Sequence, residues 1–127
     1  MIDIDFVATS KWTEDPVEDN EVLQLFAPIV TDPPDEKTTW SILNRILMWH
    51  LDARGFAKEF DAIIDEMIDA SVGIYNVLIQ TKFPVWDLRD LFRCIHGLLL
   101  SVPETIEDVA AMKRLWLHES LRVFSDR

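Results

Sequence analysis

The sequence predicts a mainly α fold, a four-helix bundle preceded by a short, acidic, partly extended segment that contains strand. Three observations carry that expectation. From Glu36 onward, apolar residues recur three and four apart in four separate runs, the spacing that lines one face of a helix. Glycine or proline stands at each break between runs, at Gly55, Pro84 and Pro103. Charge is unevenly divided: residues 1–37 hold ten acidic and two basic side chains, and residues 38–127 hold thirteen and ten. The front is a solvated acidic segment and the remainder a nearly balanced body.

Residues 1–7 place Ile2, Ile4 and Phe6 alternately with polar or acidic neighbours, a strand signal of period two. Residues 12–21 are polar, contain Pro16 and read as loop. A second apolar run over residues 22–30 is interrupted by Pro28 and reads as a short strand flanked by a turn. Pro33 and Pro34 stiffen the segment that follows, because proline fixes its own backbone and disfavours helix in the residue before it. A domain boundary is expected there, between residues 1–33 and 34–127.

The first helix aligns Trp40, Leu43, Ile46, Leu47 and Leu51 and ends near Gly55, a residue suited to a left-handed C-terminal cap. The second is expected over residues 57–80, with Phe60, Ile63, Ile64, Met67, Ile68, Ser71, Val72, Tyr75, Leu78 and Ile79 on its apolar side. Its Gly73 costs about 1 kcal/mol against alanine and is a position for close helix approach. Asp87 is the expected N-cap of a third helix carrying Leu88, Leu91, Phe92, Ile95, Leu98 and Leu99. Thr105 and Asp108 have the spacing of a capping box and open a fourth helix through Val109, Met112, Leu115, Trp116 and Val123. The expected core joins Trp40, Leu47, Ile64, Ile68, Leu91, Ile95, Leu115 and Trp116. Short connections between amphipathic helices favour a bundle.

A chain of 127 residues, 49% hydrophobic, suits one packed domain, and its net charge of −11 argues against a nucleic-acid surface, which needs clustered lysine and arginine. A single cysteine, Cys94, excludes an internal disulfide and fits a reducing compartment; on an apolar helical stripe it reads as a buried thiol. No apolar run is long enough to span a membrane, and the acidic amino terminus is unlike a basic secretory signal, so a cytoplasmic location is expected.

Catalytic patterns are sparse. Gly55, Gly73 and Gly97 stand on separate elements, so no glycine-rich loop surrounds a phosphate with backbone amides and no complete ATPase site is expected. His50, His96 and His118 fall on different helices without the paired spacing of a zinc site, and no metal ligands are assigned. Asp61, Asp65, Glu66 and Asp69 read as a solvated helix face. Arg89 is the one candidate functional residue. It projects from the first turn of a helix, where a guanidinium can reach a phosphate in a neighbouring subdomain, or can pair with Asp90 or another group on the bundle surface.

Longer patterns favour the first alternative. Trp86-Asp87-Leu88-Arg89-Asp90 is similar to a Phe-Asn-Leu-Arg-Asp motif that opens a helix, Gly97-Leu98-Leu99 to the end of that helix, and Leu115-Trp116-Leu117-His118-Glu119-Ser120-Leu121-Arg122-Val123-Phe124-Ser125-Asp126-Arg127 to a long closing motif. With Pro34-Asp35-Glu36, Trp49-His50 and Ile74-Tyr75-Asn76 upstream, residues 34–127 resemble the helical lid of an AAA+ module in dynein heavy chains, most closely the third of six modules. Ile4-Asp5-Phe6-Val7-Ala8 and Phe26 to Val30 are similar to strands of the large subdomain, so residues 1–33 read as a remnant of it. That stretch lacks the family's glycine-rich loop and arginine-bearing segment, and the connector near residues 80–85 is short. These departures suggest a divergent heavy chain or an isolated fragment of one.

The resemblance implies an AAA+ lid-type bundle with no catalytic residues, in which Arg89 holds the place of the second sensor that contacts nucleotide phosphates. It implies no cofactor for this chain alone, and ATP or ADP with magnesium in the complete module. The implied partners are neighbouring AAA+ subdomains of the same heavy chain and, through the parent motor, the microtubule; nucleic acid and membrane are not. The implied setting is the cytoplasm and cytoskeleton, including the ciliary axoneme. The rival expectation is a small acidic helical protein–protein interaction module in which Arg89 is structural and the acidic front is a partner-binding arm.

Overall fold

In the computed structural model, the described residues are 32–81 and 86–125, and all but Asp32 belong to the unit Pro33–Arg127. They form four α-helices: α1 (Glu36–Arg54), α2 (Asp61–Leu78), α3 (Leu88–Leu98) and α4 (Val109–Phe124). Asp35 caps α1 by accepting the Thr38 N–H at 2.7 Å. Hydrogen bonding from the Thr38 side chain and backbone lowers the Asp35 pKa, which keeps the cap ionised at the positive end of the helix. Gly55 closes α1 with φ 77°, a left-handed conformation that glycine adopts without steric cost. A single 3-10 turn, Lys58–Phe60, then leads into α2.

Contacts along the helices give the topology. Asn76 donates to Glu36, Trp40 to Asp69, and Asn44 to Asp65, so α1 and α2 run antiparallel. Trp86 meets Phe124 and Cys94 meets Ser120, which makes α3 and α4 antiparallel as well. Lys113 meets Glu66 and Trp116 meets Ser71, so α2 and α4 point the same way and the bundle is up-down-up-down. The core lies between the two pairs: Leu43, Leu47 and Leu51 from α1, Ile64, Met67, Ile68 and Val72 from α2, Leu91, Ile95 and Leu98 from α3, and Met112 from α4.

Five of the eight expected core residues are buried; Trp40, Leu115 and Trp116 are half-buried and pack against the cluster from its edge. Each indole N–H requires an acceptor, Asp69 at 2.7 Å for Trp40 and Ser71 at 2.8 Å for Trp116, and both acceptors belong to α2. The second helix begins as a 3-10 turn and becomes α-helical only at Asp61. The cap of α4 also differs from expectation. The Thr105 hydroxyl donates to Val102 within a preceding turn, and Asp108 itself is the N-cap, accepting the Ala111 N–H at 2.6 Å. Gly73 is exposed with open space beside it, so among the described residues the close approach assigned to it is not made. The strand expected at residues 1–7, the loop at 12–21, the apolar run at 22–30, and Asp126-Arg127 of the closing motif lie outside the described residues.

Candidate functional site

The site is the start of α3. Trp86 is buried edge-to-face on Phe124 with ring centroids 5.5 Å apart, which ties the entry of α3 to the end of α4. Asp87 and Asp90 form a reciprocal capping box: the Asp87 side chain accepts the Arg89 N–H at 2.9 Å, and Asp90 accepts the Asp87 N–H at 3.2 Å. Asp90 is buried and also receives Arg93 at 3.0 Å. Tyr75 of α2 lies near both carboxylates; burial first, then the Asp87 and Asp90 charges, push its hydroxyl pKa up.

The Arg89 side chain stands outside this network. Its residue is exposed, and among the described residues its guanidinium makes no ion pair or side-chain hydrogen bond, while the carboxylate expected to pair with it is held by Arg93. Five N–H donors in a fixed fork therefore face outward from the first turn of a helix anchored at both ends. Such a group can take a phosphate or a carboxylate presented from outside the bundle.

The far end of α3 is held by a contact that the pattern of the sequence did not reveal as one. Glu119 of α4 lies directly over Gly97, where a Cβ would overlap its Oε2, Cδ and Cγ. The Glu119 side chain is nearly buried and accepts Arg122 Nε at 2.9 Å and Nη2 at 2.7 Å. One turn back, Cys94 Sγ and Ser120 Oγ meet at 3.3 Å. Burial pushes the Cys94 thiol up, consistent with a packing thiol rather than a nucleophile. A glycine retained inside a helix, facing a Glu-x-x-Arg pair on the next helix, is the signal that could have identified the contact.

His50 is buried on α1 and meets the Ser101 hydroxyl at 3.2 Å; His96 and His118 are exposed. Asp65, Asp69 and Glu66 bond Asn44, Trp40 and Lys113 across helices. Among the described residues no group of three or more histidine, cysteine or carboxylate side chains could hold a metal ion, and no helix is long and apolar enough to cross a membrane.

A family model described as the AAA+ lid domain matches residues 71–127, the stretch that contains α3, α4 and the contacts between them. Bundle and match together define an AAA+ lid. Among curated proteins the chain is similar to human dynein axonemal heavy chain 17, 28% identical over 116 residues. It is similar also to human dynein axonemal heavy chain 10, 31% identical over 116 residues, and human dynein axonemal heavy chain 6, 32% over 113. These alignments cover 86%, 86% and 80% of this chain but only 3%, 2% and 3% of the relatives. No solved structure gives a significant match. The chain is an AAA+ lid segment of the dynein heavy-chain family.

Proposed function

We propose that this lid serves in the motor ring of a dynein heavy chain, most like the third module, and that Arg89 reports nucleotide by pairing with its phosphates. In the complete module the nucleotide is ATP or ADP with magnesium, held by neighbouring AAA+ subdomains; this chain supplies one arginine and no phosphate-binding loop. The parent couples ATP hydrolysis to movement along microtubules, and the axonemal relatives favour a place in the cytoskeleton of a cilium. The division into residues 1–33, a remnant of the large subdomain, and 34–127, the lid, belongs to the same reading.

The observation that carries it is the outward fork of Arg89 on a rigidly capped helix start, with its natural acidic neighbours engaged elsewhere. A charge-assisted contact is worth about 1.5–3 kcal/mol, so Arg89→Ala in the complete motor should weaken nucleotide affinity at this module about 10- to 100-fold. Lysine should rescue little, because a single ammonium cannot reproduce the fork. Affinity and microtubule-stimulated turnover both at wild-type values, with the lid folded, would refute the assignment.

A further inference from the structure

We propose that the contact of Glu119 with Gly97 is a register pin that sets the rotation and axial position of α3, which makes Glu119 a positioning residue for Arg89. The geometry of the pin stands by itself. Its functional consequence rests on the reading of Arg89 given above.

Arg89 and Gly97 are both on α3, eight residues apart, or about 12 Å along the axis and about 80° around it. The helix moves as one body, so whatever fixes Gly97 fixes Arg89. A rotation of about 20° would carry a group at the helix surface by about 2 Å. Reactive and phosphate-binding geometries fail on displacements of about 1 Å, so the orientation of α3 must be held more tightly than general apolar contact ensures.

The α3–α4 contact has the form such a constraint requires. Glycine is a poor helix former, yet Gly97 lies within α3 and is buried. Its missing side chain is the space that Glu119 occupies. Arg122, three residues along the same helix, holds the Glu119 carboxylate through two N–H groups, so the side chain cannot swing away without breaking both bonds. Because Cγ and Cδ lie over Gly97 as well as Oε2, turning the terminal carboxylate alone would not make room for a Cβ. Cys94 against Ser120 supplies a second point of contact one turn away. Two points on one helix against two adjacent positions on the other restrict both sliding and rotation.

The test measures position without nucleotide. Nitroxides introduced through Arg89→Cys and Ala62→Cys report α3 against α2, and a second pair, Lys37→Cys with Ala62→Cys, reports α1 against α2; Cys94 is buried and stays unlabelled. Gly97→Ala should shift or broaden the first distance distribution and leave the second unchanged. Removing the obstruction in Gly97→Ala/Glu119→Ala should bring the first distribution back toward its original centre. Unchanged distributions in Gly97→Ala, or equal changes in both pairs, would overturn the pin. In the complete motor, Gly97→Ala should lower nucleotide affinity at this module about tenfold or more, and should add little on top of Arg89→Ala. A displaced label with wild-type affinity in Gly97→Ala would overturn the positioning role while an effect of Arg89→Ala still stood. No effect of Arg89→Ala would instead sink the phosphate reading and leave the pin to the distance measurement.

Discussion

Leu91→Ala tests whether the bundle is held together where the four helices meet. Leu91 is 0% exposed and belongs to the central cluster. The substitution deletes three carbon atoms, a transfer loss of about 2.4 kcal/mol at about 0.8 kcal/mol per carbon. The cavity left in a well-packed site adds to that, giving an expected loss of about 3–5 kcal/mol. A domain of this size has a stability of about 5–15 kcal/mol, so the variant forfeits about a fifth of it or more. Leu117→Ala is the control, the same chemical change at a residue 51% exposed on α4, and should cost under about 0.5 kcal/mol. Urea unfolding of the 127-residue chain, followed by circular dichroism and tryptophan fluorescence, measures both. Equal losses for Leu91→Ala and Leu117→Ala, or a loss under about 1 kcal/mol at Leu91, would refute this arrangement of the core.

The chain alone should neither hydrolyse ATP nor bind it with micromolar affinity, since a single arginine contact worth about 1.5–3 kcal/mol falls short of the roughly 8 kcal/mol that micromolar binding requires; calorimetric titration with ATP and magnesium checks this. Asp108→Ala should cost about 1 kcal/mol by removing the N-cap of α4, whereas Thr105→Ala should cost less, and thermal unfolding separates the two. Burial, and then the charge of Arg54, lower the pKa of His50 below 6.5, so the neutral imidazole is the form the fold favours. Its contribution is intact above pH 6.5 and is lost as pH falls toward the lowered folded value; His50→Gln should flatten that part of the stability–pH curve.

What was legible in the sequence was local. The period of the apolar residues placed four helices, Gly55 marked the end of α1 because only glycine suits its φ, and Asp87 marked the start of α3 because a carboxylate there can accept the free N–H groups of the first turn. At the start of α4, the spacing of Thr105 and Asp108 read as a capping box, and it did not reveal that Asp108 is itself the N-cap. Depth was not legible either. Trp40 and Trp116 fit the apolar stripe as well as Leu47 does, but each is only half-buried and gives its N–H to a polar side chain of α2, exposed Asp69 for Trp40 and buried Ser71 for Trp116. Gly73 and Gly97 are alike in their local setting, and only the presence of Glu119 over Gly97, against open space beside Gly73, decides which of them is needed as glycine. For the candidate site, the place of Arg89 could be read from its motif. That Asp90 pairs with Arg93 could not, since the i,i+1 and i,i+3 alternatives were both open.

The stability of α3 gives no reason for an arginine at position 89. A cation in the first turn of a helix faces the positive end of the helix dipole, an unfavourable placement worth about 0.3–1 kcal/mol, and the nearby carboxylates that could offset it are committed to the capping box and Arg93. An exposed residue with an unfavourable local term and no side-chain partner among the described residues is one whose replacement should not harm the fold. Arg89→Glu should therefore leave the chain equally stable or stabilise it by up to about 1 kcal/mol, even though it abolishes any attraction for phosphate. Urea unfolding of the two chains side by side measures the difference. A loss above about 1 kcal/mol would mean that Arg89 is a structural ion-pair residue, and the phosphate-sensing assignment would lose its footing. A neutral or stabilising result, combined with loss of nucleotide affinity in the complete motor, would separate the two roles: Asp87, Asp90, Gly97 and Glu119 hold the helix, and Arg89 is spent on what the helix presents.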